Sequence, residues 1–424
     1  MKKILVITYY WPPKGGVGVQ RWLKLTKYLC KYNYEPIIYT PEDDFSPLED
    51  QSLVDTISPR LTILKTNIFE PQKIFSFLFR KKVKSDILIR TKKSWLDKVF
   101  VWLRSNFCIP DSRSFWIQPS IKFLNKYIEK NPIDLIISTG PPHSMHMIAF
   151  ALKKQHQINW IADFRDPWTG IEYFKQLPLL SFVKKRHINL EYKILSNADL
   201  TLSVSPSWAK QLSDLGAKKT AILTNGYDSE DYQINNVIVD SNKFTIGHFG
   251  LYNELRDHDF LWKTIKEIVK HKLDFSNKLQ FLFAGEIHAN FFMKIKTYQF
   301  DQKLIYHEYL NHANSIQYMM QCDLLLVTQG DAASVNGRLP AKFFEYLRAR
   351  RPILAIGKKN SDLDKIIQNI SYAWFVDFDN STLLHNTILQ IYELSKQDNI
   401  FDDDITEFSR ESQAQKLIDL INDL

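Results

Sequence analysis

Short apolar runs alternate with longer stretches of helical period along nearly the whole chain, the pattern expected of parallel α/β sheets. In the first half, residues 4–9, 36–40, 61–65, 134–138, 160–164, 200–204 and 221–224 read as strands, with helical stretches between most of them. In the second half, residues 244–248, 279–284, 304–307, 324–327, 353–356 and 373–376 repeat the scheme. Residues 225–243, N-G-Y-D-S-E-D-Y-Q-I-N-N-V-I-V-D-S-N-K, are polar and turn-rich and separate two expected domains, 1–228 and 244–403. The tail 404–424 has the pattern of a terminal amphipathic helix, expected to pack back on the first domain. Two doubly wound α/β domains facing each other across a cleft would bind ligands at the carboxyl ends of their strands.

Length agrees with that division, because 424 residues are too many for one ordinary core. The apolar fraction of 45% and charged fraction of 24% are those of a folded chain throughout. Cys30, Cys108 and Cys322 are far apart and show no metal-ligand spacing, so neither a disulfide framework nor a zinc site is expected, and a reducing compartment is. The start, M-K-K-I-L-V-I-T-Y-Y-W-P-P, reads as a first strand and not as a signal peptide. No apolar run reaches the length that spans a bilayer, so a soluble or peripheral protein is expected.

The net charge of +8 is unevenly placed. Within the window 71–107, Lys73, Arg80, Lys81, Lys82, Lys84, Arg90, Lys92, Lys93, Lys98 and Arg104 face only Asp86 and Asp97, and aromatic residues are interleaved with them. One reading is a segment lying on an anionic membrane surface. The other is an insertion whose aromatics pack on its own domain while its cations are solvated. Nucleic acid is not an expected partner, since no reading motif accompanies the charge.

Four loops that follow expected strands, and one strand end, carry the candidate chemistry. The richest is 330–340 with its helix, running G-D-A-A-S-V-N-G-R-L-P-A-K-F-F-E-Y-L-R-A-R-R-P into the strand at 353–356. Gly330, Gly337 and Pro340 punctuate the loop, a short helix is expected over 339–348, and Pro352 forces Arg351 out of helix geometry. Free N–H groups at the helix start, with Arg338 and Lys342, form a seat for a phosphate, and Glu345 follows on a neighbouring face. The loop 249–257 in I-G-H-F-G-L-Y-N-E-L-R-D places Arg256 where its planar fork can grip a diphosphate, or where it merely pairs with Glu254 and Asp257 on the surface. In W-P-P-K-G-G-V-G, Gly15 and Gly16 permit close backbone approach to a ligand, although the spacing is not a dinucleotide fingerprint. In S-T-G-P-P-H-S-M-H, His143 opens a helix as a sugar contact or a polar cap, with His146 one turn later. The stretch D-F-R-D-P-W sets Asp163, Arg165 and Asp166 at a strand end, fit either for acid-base work or for structural ion pairing, and Trp168 either packs or lines a sugar site.

In their order and spacing these segments resemble the family 4 glycosyltransferases, over nearly the whole chain and above all through G-R-L-P-A-K-F-F-E-Y-L-R-A-R-R-P-I-L-A. The resemblance implies the GT-B fold: two Rossmann-like domains, the second holding a nucleotide-diphosphate sugar donor and the first an acceptor. It implies a hexosyltransferase-type reaction with retention of configuration, no metal and no cofactor beyond the donor substrate. The acceptor it suggests is a glycan or lipid-linked group in cell-surface polysaccharide, lipopolysaccharide or glycolipid assembly. Glu345 looks like the family's ribose-binding glutamate, Arg256 and Lys342 like its diphosphate pair, and His143 like its histidine near the donor sugar. One departure is that Gly337 stands eight positions before Glu345, where the family commonly has a second glutamate. Two other functions fit the same fold: a sugar-nucleotide epimerase, and a non-catalytic partner in a glycan assembly complex.

Overall fold

The computed structural model of the chain describes residues 1–43, 49–71, 95–233, 237, 239–332, 334–397 and 400–424. Of the basic aromatic window, 72–94 therefore lie outside the described residues. The chain divides into two compact units, Met1–Thr224 with Gln413–Leu424, and Asn225–Ser412.

The first unit is built on a seven-stranded sheet in the order β3-β2-β1-β4-β5-β6-β7, every neighbour parallel. Its strands are β1 (Lys3–Ile7), β2 (Glu35–Pro41), β3 (Thr62–Thr66), β4 (Leu135–Gly140), β5 (Asn159–Phe164), β6 (Leu200–Ser203) and β7 (Thr220–Ile222). The second unit has a six-stranded parallel sheet, β10-β9-β8-β11-β12-β13. These strands are β8 (Phe244–Phe249), β9 (Leu279–Ala284), β10 (Leu304–His307), β11 (Leu324–Thr328), β12 (Ile353–Gly357) and β13 (Ala373–Asp377). All thirteen fall on the apolar runs read from the sequence. The reason is that each sheet is covered on both faces, so its strands are apolar at successive positions and not only at alternate ones. In β11, Leu324 and Leu326 join one core layer while Leu325 and Val327 join the other. In β1, Ile4 and Val6 oppose Leu5 and Ile7 in the same way.

Among the helices that cover the sheets, six position the candidate residues or the surfaces beside them: α1 (Val17–Lys31), α2 (Trp95–Phe107), α3 (Ser144–His156), α4 (Ser181–Leu195), α5 (Ala341–Ala349) and α6 (Arg410–Asn422). Helix α5 begins two residues later than the sequence suggested, because Pro340 is extended at ψ 131°. It ends at Ala349, with Arg350 in the left-handed region at φ 54° and its guanidinium donating to the Asp403 carbonyl at 2.8 Å. Helix α6 completes the first unit, where Ala414, Leu417, Ile418 and Ile421 join the core layer of Ile4, Val6 and Trp22.

In each sheet the strand order reverses at one place, between β1 and β4 in the first and between β8 and β11 in the second. The loops leaving the carboxyl ends of those strands are 11–18, 140–146, 249–257 and 330–340, which carry many of the candidate residues, while Asp163, Arg165, Asp166 and Trp168 lie at and after the end of the neighbouring β5. Connections diverge to opposite faces at such a point and leave a crevice there.

A chain ending at Ser412 should lose the burial of Leu417, Ile418 and Ile421 and with it at least about 4 kcal/mol of first-unit stability, taking roughly 1.5–3 kcal/mol per buried aliphatic side chain. Urea denaturation followed by tryptophan fluorescence measures that loss.

Candidate functional site

In the second unit, helix α5 brings Lys342 in its first turn towards the end of β8. Lys342 Nζ lies 2.9 Å from His248 Nε2, and His248 Nδ1 lies 3.0 Å from the Leu326 carbonyl oxygen. A carbonyl only accepts, so the ring hydrogen sits on Nδ1 and Nε2 accepts from Lys342. Burial, then the Lys342 charge, hold the His248 imidazole well below its ordinary value, so it stays neutral and offsets no charge. Burial also holds the Lys342 ammonium well below the usual lysine range, the neighbouring Arg256 charge adds to the effect, and Glu345 opposes it.

Arg256 closes the short turn Glu254–Arg256 and donates to the Leu251 carbonyl at 2.8 Å. Two basic side chains are thus held near one another, with burial working against the charge on Lys342, an arrangement that a bound anion would favour. Gly250, at φ 93°, keeps side-chain bulk away from them, since a Cβ there would already lie 3.4 Å from Lys342 Nζ. The Gly250 backbone in turn sits so close to Gly285 that a Cβ on Gly285 would approach it to 2.8 Å.

Glu345 lies three positions after Lys342. Among the described residues its carboxylate makes no hydrogen bond or ion pair, and burial pushes its pKa up despite the nearby charges of His312 and Arg410. Its backbone carbonyl accepts from the Tyr232 hydroxyl at 2.8 Å. The loop before α5 is tied down by Gln329, whose Nε2 donates to the Arg338 carbonyl at 2.7 Å. The Arg338 guanidinium reaches Ser334 Oγ at 3.5 Å. Gly330 packs on the preceding loop, where a Cβ would meet Leu255 Cβ at 2.9 Å. Gly337 is buried at the end of the turn Val335–Gly337. The second unit therefore gathers Arg256, Lys342, Glu345 and the loops containing Gly330, Gly337 and Arg338.

In the first unit, Asp163 is an anchor. Its fully buried carboxylate accepts from Arg21 Nε at 3.1 Å and Nη2 at 2.9 Å, Trp22 Nε1 at 2.8 Å and Thr139 Oγ1 at 2.9 Å. Burial acts against its ionisation, but Arg21 outweighs it and holds the pKa below the usual carboxylate value. Arg21 and Trp22 belong to α1, so this pair fixes the helix that Gly15 and Gly16 open; Gly16 is the N-cap residue at φ 97°. Arg165 ties the two switch-point loops together. Its side chain donates to the Gly140 carbonyl at 3.3 Å and to the Pro141 carbonyl, while a Cβ on Gly18 would strike its Nη1 at 2.6 Å. Asp166 is half-buried in the bend that follows.

His143 sits at the start of α3 without acting as its cap. Asp111 does that instead, accepting from the Ser144 N–H and hydroxyl, each at 2.8 Å. The His143 ring stacks on Trp168 at 4.6 Å and 5°, and neither ring nitrogen has a hydrogen-bond partner among the described residues. Trp168 is buried and donates through Nε1 to His187 Nδ1 at 3.1 Å. Its backbone N–H and that of Thr169 both donate to the buried Glu191 carboxylate. Burial lowers all three histidines of this cluster: His143 well below 6.5, His146 to about 3 and His187 to about 4. They are neutral at pH 7.

Sequence reasoning missed Arg21, Glu191, His187, His248 and Gly250. Two local signals were available: an arginine on the core side of α1, and a histidine between a buried strand and the glycine of H-F-G. Among the described residues no group of three or more His, Cys, Asp or Glu side chains is arranged to hold a metal.

The chain belongs to Glycosyltransferase Family 4, whose model matches residues 15–231, just over half of its length. No curated protein matches it. Several solved structures are similar along their whole length. Sucrose-phosphate synthase (tll1590) from Thermosynechococcus elongatus has a TM-score of 0.68 at 12% identity, covering 100% of this chain and 99% of that one. A mutant of S. aureus TarM, in complex with Fondaparinux, alpha-GlcNAc-glycerol and UDP, has a TM-score of 0.60 at 12% identity, covering all of both chains. UDP-GlcNAc 2-epimerase from Methanocaldococcus jannaschii has a TM-score of 0.53 at 11% identity, covering 99% of each. At such identities the likeness carries the fold alone, and the fold is the GT-B one of two Rossmann-like domains.

Asp163→Ala should unfold about 3–5 kcal/mol more easily than wild type, the usual cost of stranding one partner of a buried ion pair, as measured by chemical denaturation. The histidine cluster predicts a pH dependence. Because the folded values lie below 6.5, the unfolded chain takes up protons first, so stability present above pH 6.5 is lost as pH falls towards 4. Between pH 7 and 5, wild type should lose about 2 kcal/mol more than His187→Gln, as read from urea melts at both pH values.

Proposed function

We propose that this glycosyltransferase moves a sugar from a nucleotide-diphosphate donor, bound by the second unit, to an acceptor hydroxyl with retention of configuration. The observation that carries the reading is the pair Lys342 and Arg256 beside Gly250, two basic side chains held close, with the lysine against a neutral histidine. A diphosphate answers that charge, and the first turn of α5 adds its free N–H groups to the same place. Glu345, whose carboxylate makes no hydrogen bond or ion pair among the described residues, accepts from the ribose hydroxyls. Gly337 offers no side chain to the donor sugar, so contacts there come from the backbone of 330–338.

In the reaction the bond from the anomeric carbon to the diphosphate oxygen breaks while Lys342, Arg256 and the helix start stabilise the charge on the leaving group. The acceptor oxygen bonds to the anomeric carbon on the face the leaving group departs, and its proton passes to a phosphate oxygen. Neutral His143 accepts a hydrogen bond from a sugar hydroxyl, and no metal or further cofactor takes part. The acceptor is a glycan or lipid-linked group of cell-surface polysaccharide, lipopolysaccharide or glycolipid assembly, met at the cytoplasmic face of the membrane.

Lys342→Ala and Arg256→Ala should each lower donor turnover about 10²–10³-fold, the usual cost of removing a group that stabilises developing charge, while Glu345→Ala should chiefly raise the donor KM. Transfer and donor hydrolysis by the three variants measure this. Rates near wild type in all three would contradict the donor site, and formation of an epimer from the donor alone would favour epimerase chemistry on the same fold.

A further inference from the structure

Surface helices ordinarily turn an apolar stripe inward and leave the polar side to water. Helix α2 has an apolar stripe on its outer side. Val101 and Ser105 are buried, whereas Trp95, Val99, Trp102, Leu103 and Phe107 recur at helical spacing and are 70, 45, 38, 44 and 71% exposed. Asn106 stitches the last turn of this helix to the segment that leads into α4, donating to the Pro178 carbonyl at 2.9 Å and accepting from the Leu180 N–H at 2.8 Å. Leu180 and Phe182, 40 and 68% exposed, extend the apolar surface beyond Phe107. Among the described residues nothing covers this apolar surface, and a surface of this kind marks a contact with a partner.

Charge identifies the occupant. Exposed Lys98 lies within the α2 stripe, and exposed Lys175, Lys184, Lys185 and Arg186 flank Leu180 and Phe182. Across 95–107 and 175–188 the only acid is Asp97. A second copy would bring the same cations to the same face, on a chain already at +8, and be repelled. An anionic bilayer supplies an apolar layer for the rings and a negative surface for the ammonium and guanidinium groups.

We propose that the outer side of α2 and the start of α4 form the face by which this chain docks on a membrane surface rich in anionic phospholipid. It uses none of residues 72–94. The inference deepens the functional reading by naming where a lipid-linked acceptor would meet the first unit, and rests on that reading only for the class of acceptor.

The test is sedimentation of the full chain with vesicles of phosphatidylcholine and phosphatidylglycerol, and with phosphatidylcholine alone. Wild type should bind the mixed vesicles, more weakly as salt rises, and should not bind the neutral ones. The triple variant Trp95→Ser, Phe107→Ser, Phe182→Ser should bind roughly tenfold or more weakly. Replacing Lys184, Lys185 and Arg186 by Ala should weaken binding about fivefold for each cation removed. Melting temperatures of these surface variants should match wild type, which shows that loss of binding is not loss of fold. Lys342→Ala should keep full vesicle binding, so failure of the donor site and failure of the docking face are read separately. Wild type that ignores both vesicle types, or an aromatic variant that binds as tightly as wild type, overturns the proposal. So does a wild-type dimer that the aromatic variant abolishes, in favour of a second copy.

Discussion

A parallel sheet sends every strand-to-helix connection out at one edge, and in the second unit that edge forces two basic side chains together. Lys342 arrives on α5 after β11, Arg256 on the loop after β8, and the reversal of strand order between β8 and β11 makes them neighbours. Neither is neutralised through His248, whose Nδ1 hydrogen is committed to the Leu326 carbonyl. Like charges in a desolvated place weaken the folded state unless an anion is part of the design. The glycines at 250 and 285, which let β8 and β9 close without a side chain over the ammonium, belong to the same arrangement.

The first unit handles its buried charges in the opposite way. Asp163 is fully satisfied by Arg21, Trp22 and Thr139, and Glu191 by the backbone of Trp168 and Thr169, so each carboxylate holds loops in place. Arg165 spans the glycine loop and the P-P-H loop, and His143 is pressed flat against Trp168. Rigid loops around a neutral, partnerless imidazole suit recognition of hydroxyls, whereas the charged edge of the second unit suits phosphate. The proposed division of labour between acceptor and donor rests on that difference in electrostatics.

How much of this was legible in the sequence depended on range. Strands buried on both faces announce themselves as apolar runs, which is why β8 to β13 could be placed from composition alone. The loops that matter were legible because glycine, proline and charge cluster after those runs. Partners distant in sequence were not. Asp163 reads as a potential acid until Arg21, 142 residues earlier, is found bonded to it. Likewise the end of α5 depends on Arg350 reaching Asp403, a contact no local rule anticipates, so Pro352 marked the region but not the stopping residue. His248 was passed over because an apolar strand with one histidine looks like a strand, and only the approach of Lys342 gives that ring a role.

The most direct measurement is the proton count on binding a nucleoside diphosphate, obtained by isothermal titration calorimetry at pH 8.5 in buffers of different ionisation enthalpy. With Lys342 held well below the usual lysine range by burial and Arg256, a diphosphate seated on it should draw a proton onto the neutral amine and leave it an ammonium. Net proton uptake by wild type, absent in Lys342→Met, is the result the donor site predicts. Binding with no change in proton count, or the same count in both proteins, would contradict it.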